Sequence, residues 1–377
     1  TMAWEGGSRL VPSSASGNVL DTVGLQSELV LSESSARVRF TTGTTAVGVR
    51  MTSFNNGLLI DNNGVIGYPV VSDFSSATAH SVESATSGAT LTIGAGGSIS
   101  TTPSSRATLY VGEQFWGSTS AVLNNQGVIS SQATGRELRV RPTLLNSTGT
   151  IRGRAGVTVN VSGLNGSVGG FDVQDAGTSL LLDGNYTLAG TLTVAPGTSA
   201  TLRGTWSNGG SIAINSGTLV LDGTFSLSTL GSFSNANGIV SIIGTLNNAS
   251  GLTLNAATGS WSVTGGTITG GTIAQTQGSR LLFGSNTDST LNGVTFDSPL
   301  RVSGTNARVR ALGTTAPAYS IESSGASIGF EPGRVLNQTV TVNSVGTAAL
   351  ETVGSGSLTI GPSGRVEVLS GSVTLGS

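Results

Sequence analysis

Few side chains in this chain could do chemistry, and their spacing limits what each could do. The sole histidine, His80, stands in the polar stretch SSATAHSVESA with Glu83 close behind it. Catalysis by such a pair needs a reacting partner within hydrogen-bond reach, and no G-x-S-x-G nucleophile motif accompanies it. The expectation is a solvated loop histidine. Asp172 and Asp175, in GGFDVQDAG, could hold calcium or act as acid and base. Phe171 and Val173 fall in an apolar column, so Asp172 should point outward and Asp175 should lie near a turn. Asp183, Arg203 and Asp222 share one repeat position, which reads either as an ion or carbohydrate site or as an ion-pair ladder that sets register, and the ladder is favoured. Thr205, Thr224, Thr245, Thr267 and Thr305 follow a glycine column. Such a file could order water as an ice-binding face does. That needs a paired file, which Thr191 and Thr193 supply once and Ser211 and Ala213 do not continue. Asn146, Asn160, Asn165, Asn185, Asn248 and Asn337 open N-x-S/T triplets, which arise by chance in a chain this rich in Ser and Thr. No catalytic, cofactor-binding or metal-binding residue is assigned.

Composition narrows the classes further. The chain has 377 residues, no Cys and no Lys; all 17 basic residues are Arg, and the net charge is −2. Without Cys there is no disulfide framework, thiolate chemistry or zinc–cysteine site. A pI near 5.4 and the lack of a basic stretch remove the electrostatic footprint of a nucleic-acid binder. No apolar run approaches the ~20 residues of a membrane helix, and no basic n-region with a following h-region opens the chain. Thr1 therefore reads as the start of a mature or trimmed chain. Val, Ile and Leu alternate with Ser and Thr, as strands require.

The elements that must carry these residues repeat every 19 to 22 positions. One apolar column is Ile129, Ile151, Phe171, Leu192, Ile212, Phe233, Leu252, Ile273 and Val294. A second runs from Val140 through Val161, Leu182, Leu202, Leu221, Ile242, Val263 and Leu282 to Val302, and a third through Leu123, Leu145, Leu164, Tyr186, Trp206, Phe225, Leu246 and Ile268. Three short strands per repeat describe the coil of a solenoid. Gly184, Gly204, Gly223, Gly244, Gly265, Gly284 and Gly304 mark its corners. Asn residues after Leu123, Leu145, Leu164 and Leu246 could ladder hydrogen bonds between coils. Downstream, Val302, Ile321, Val342 and Ile360 continue the period. The expected fold is all-β: a right-handed parallel β-helix of roughly 12 to 15 coils, handedness following the usual crossover rule. Residues 81–377 form the helix, with a loop inserted near 112–122. Residues 1–80 read either as an N-terminal β cap or as irregular first coils, because Leu20, Phe40 and Ile60 are also 20 apart.

The stretches LNNQGVI, LNSTGTI, GTLTV, GSIAI and LNNASGLTL, with coils of the type GTLVLDGTF, resemble bacterial parallel β-helix surface proteins: autotransporter passengers and filamentous-haemagglutinin-like adhesins. The resemblance covers at least residues 123–304 and implies secretion, display at the cell surface and adhesive or matrix roles. The expected function is thus a non-catalytic surface adhesin or extracellular filament subunit that self-associates through its ends and meets surface glycans or cell-surface proteins. The alternatives are a carbohydrate-active β-helix enzyme, which needs several acids from neighbouring coils, and a phage tailspike.

Overall fold

A computed structural model describes residues 10–14 and 17–376; the reading of Thr1 as a chain start lies outside them. The chain divides into two compact units, residues 1–213 and 214–377. Each is built of parallel strands stacked coil on coil, a β-solenoid with about 21 residues per turn. The chain has about 17 turns, more than expected, because coils already run at Asn18–Leu20.

In the first unit the alternating strands put their apolar residues inward, as in Thr90–Ile93, where Leu91 and Ile93 are buried between half-exposed threonines. Parallel pairing then stacks like on like. Leu20 lies beside Phe40 and Phe40 beside Ile60. Leu29, Val49, Val70, Ile99, Ile129, Ile151 and Phe171 form one continuous file on a seven-stranded sheet. Val140, Val161, Leu182 and Leu202 form another. Each large side chain buried this way stabilises by roughly 1.5–3 kcal/mol. The Asn ladder is realised where Asn146 Nδ2 donates to Asn124 Oδ1 at 3.0 Å.

The third column departs from expectation at one coil. Leu164 faces Gly184, and Tyr186 faces Gly166, because the register shifts between Val161 and Leu164. Gly163 makes the shift with a left-handed φ of 72°, and a Cβ there would stand 2.5 Å from the Pro142 carbonyl. Tyr186 and Trp206 then pair directly. The glycine corner is real at Gly204: its φ is 84°, and a Cβ would meet the Gly184 carbonyl at 2.2 Å.

In the second unit Leu221, Ile242, Val263 and Phe283 stack in file, as do Phe225, Leu246, Ile268 and Leu291. Three column assignments change. Val263 is followed by Phe283 rather than Leu282, whose side chain alternates outward. Phe296, not Val294, lies beside Ile273. Ile360 pairs with Leu336, while Val342 is continued by Val368. Phe233 is only half-buried and Asn235 takes the buried place in its strand. The preceding single helical turn, Leu227–Leu230, is capped by Ser226, whose hydroxyl accepts from the Thr229 amide.

Leu221 is fully buried beside Ile242. Leu221→Asp would leave a carboxylate with no partner among apolar side chains. It should abolish the cooperative thermal transition seen by circular dichroism, whereas Leu221→Ala should cost only about 2–5 kcal/mol. A folded, cooperative Leu221→Asp protein would contradict the inward stacking.

Candidate functional site

The outward side of a parallel stack also forms files, and one of them in the first unit is chemically dense. Arg37, Gly57, Ser81, Tyr110 and Arg139 occupy one outward position in successive coils. Gly57 leaves a gap in this file. The loop between strands Ala107–Val111 and Val122–Asn125 folds over the sheet and fills it with Trp116. A Cβ on Gly57 would stand 2.9 Å from the indole. The Arg37 guanidinium lies 4.2 Å from the centre of that ring. Phe115 packs between Trp116 and Tyr110, 5.0 Å from each, and Arg139 lies 4.9 Å from the Tyr110 ring. Arg139 Nη2 donates to Glu113 Oε1 at 2.7 Å.

Glu83 holds the loop in place. Its buried carboxylate accepts the backbone N–H groups of Phe115, Trp116 and Gly117, each at 2.8 Å, and the Ser81 hydroxyl at 2.7 Å. Successive amides converging on one carboxylate form an anion nest satisfied from within the chain. All of this acid's accepting capacity is used structurally, so it offers no free lone pair to a substrate. Sequence reading placed Glu83 near His80 and missed the anchor, because the three donors lie more than thirty residues away. The local signal was an outward glycine followed two coils later by an aromatic loop.

The expectation for His80 is overturned: it is fully buried, in a strand, not solvated in a loop. Its position pairs with Leu109, so the ring points into the core. The ring is fully partnered there, with Nε2 2.7 Å from the Ser53 carbonyl and Nδ1 2.8 Å from the Ser72 hydroxyl. Nε2 therefore carries the proton and Nδ1 accepts. Burial pushes the imidazole down to about 4, against the opposing pull of the Ser53 carbonyl.

Asp172 points outward, as expected, and accepts from Arg154 at 2.6 Å and Arg152 at 2.9 Å. Burial raises its carboxyl pKa, but the two guanidiniums outweigh that and hold it below the usual value. Asp175 sits at a turn with φ 71° and accepts the Ala155 amide at 2.9 Å. The structure does not bring these two acids together as a site. Asp183 and Arg203 are cross-strand neighbours, as a ladder requires. Thr224, Thr245 and Thr267 do form a file, continued by Thr290 rather than Thr305, but the outward file beside it is Ser226, Asn247, Thr269 and Asn292. Among the described residues, no three His, Cys, Asp or Glu side chains gather as a metal site.

No protein-family model, curated protein or solved structure matches this chain.

Two measurements test the local chemistry. Glu83→Ala strands three backbone donors and should cost about 3 kcal/mol or more. It should also open the loop to chymotrypsin after Phe115 and Trp116; continued protection would show that the carboxylate does not anchor it. For His80, the unfolded chain takes up its proton near 6.5 while the folded protein waits until about 4. Stability is therefore fully present above 6.5 and falls as pH drops towards 4, by about 3 kcal/mol in all. Denaturant melts should show this slope between roughly pH 5 and 6.5, above most carboxylate titration. Replacing His80 with Gln should flatten it; an unchanged slope would place the titrating group elsewhere.

Proposed function

We propose that the protein is a secreted, non-catalytic surface protein that acts through its lateral faces and coil edges, as an adhesin or a subunit of an extracellular filament. The observation that carries this reading is the state of the outward acids. Arg39 holds Asp61 at 2.6 Å, Arg152 and Arg154 share Asp172, Arg301 holds Glu322 at 3.0 Å, and Glu83 is closed by amides. A β-helix hydrolase or lyase would need neighbouring acids left free to transfer protons or bind calcium. At these four positions the acid is answered by a guanidinium or by backbone amides. No helix of the described residues is long and apolar enough to cross a membrane.

Self-association through coil edges belongs to the same reading. Strand Arg365–Leu375 pairs with Thr339–Thr352 and displays exposed Val368, Leu369 and Leu375. Apolar side chains along a parallel strand are a template for a further coil, and where a second copy supplies that coil the head-to-tail contact propagates.

The protein should release no unsaturated or reducing ends from pectin, alginate or hyaluronan, with or without calcium. Reproducible release that vanishes in Asp172→Ala would make it an enzyme. In sedimentation velocity, the weight-average mass should rise with concentration and fall back in the Leu369→Asp variant. A concentration-independent monomer would remove the filament half of the proposal.

A further inference from the structure

The second unit contains an outward motif related to the aromatic file, but covered by an aliphatic side chain in place of a ring. Arg310, Gly329 and Glu351 occupy one outward position on three successive strands, Arg308–Leu312, Ser327–Phe330 and Thr339–Thr352. As at Gly57, the glycine opens a notch beside a guanidinium. Here the smaller Val353 takes the place the indole has at Gly57, its Cγ2 3.0 Å from where a Gly329 Cβ would stand, and Gly329 is itself buried. The result is a cavity of about 270 Å³ lined by Arg308, Arg310, Ser327, Gly329, Glu351 and Val353, among others.

Its charges are unusual for this chain. Several outward ion pairs join adjacent coils, as Arg39 does Asp61 and Arg301 does Glu322. Arg310 and Glu351 are two strands apart, about 9.5 Å, so they flank the gap instead of closing it. Arg310 has only a loose contact with Asp288, 3.4 Å away, with both side chains about half exposed. Neither Arg308 nor Glu351 makes a side-chain hydrogen bond or ion pair with another described residue. The notch therefore presents guanidinium donors on one wall, a free carboxylate acceptor on the other, and the aliphatic side chain of Val353 between them.

We infer that this notch binds a carboxylate-bearing pyranose, one uronic or sialic acid residue of a glycan. Its carboxylate would be met by Arg308 and Arg310, whose planar forks suit it. Its hydroxyls would donate to Glu351, and the apolar face of the ring would lie against Val353. A phosphate ligand fits less well, since its second negative charge would face Glu351. A neutral sugar would leave the guanidiniums unused. The inference deepens the proposed adhesive function, supplying the class of glycan recognised.

The test is saturation-transfer NMR and titration calorimetry on the full chain, with methyl glucuronide, methyl sialoside and methyl glucoside as probes. One or both acidic glycosides should saturate with a Kd on the order of 1 mM, and the glucoside should bind at least about tenfold more weakly. Arg308→Gln and Glu351→Gln, both at the surface, should each weaken acidic binding about tenfold. Equal binding of neutral and acidic probes, no saturation by either acidic probe, or full binding in both Gln variants would overturn the inference. Cleavage of a bound glycoside would instead overturn the non-catalytic function and leave the binding site standing.

Discussion

Parallel in-register stacking is the constraint on which the other features depend. Coils lie one strand spacing apart, about 4.8 Å, so a side chain's nearest neighbours are the same position one coil up and one coil down. Inward, this turns a repeated Leu or Val into a continuous apolar file such as Leu29 to Phe171. Outward, it turns an isolated charge into half of a pair: Asp61 finds Arg39, and Asp172 finds Arg152. The backbone ladder is satisfied by the same geometry, which is why the chain needs neither helices nor disulfides to close its core.

Where the stack is interrupted, polar groups take over the work of packing. The loop carrying Phe115 and Trp116 has no ladder of its own, and Glu83 supplies acceptors for three of its amides. His80 occupies an inward position where neighbouring coils carry Leu109 and Leu138, and it is tolerated because Ser72 and the Ser53 carbonyl satisfy both ring nitrogens. In the sequence the pair is a candidate for chemistry, with a solvated loop histidine the expected outcome. In the fold each is a buried polar group whose partners are already in place, and a buried polar group without them would be costly.

The outward glycines give the two units a common surface grammar. At Gly57 the gap beside Arg37 is occupied by the chain's own indole. At Gly329 the place beside Arg310 is taken by Val353, smaller than an indole, and a cavity remains beside an unpaired carboxylate. The difference lies in the loops: the first unit spends about ten residues on an excursion that returns over its own sheet, and the second does not at this point.

The sequence by itself determined the fold class, the coil length, most inward columns and the outward placement of Asp172, because these follow from strand alternation and a period near 21. It did not determine the register shift at Gly163, the replacement of Val294 by Phe296, or the core position of His80. Each depends on how a local insertion is absorbed, and a bulge of one or two residues changes every later alignment without altering composition. Nor could it show that Glu83 faces three amides more than thirty residues ahead, or that Arg310 and Glu351, 41 positions apart, flank one notch. Those neighbours are made by stacking distance, which only the tertiary structure supplies.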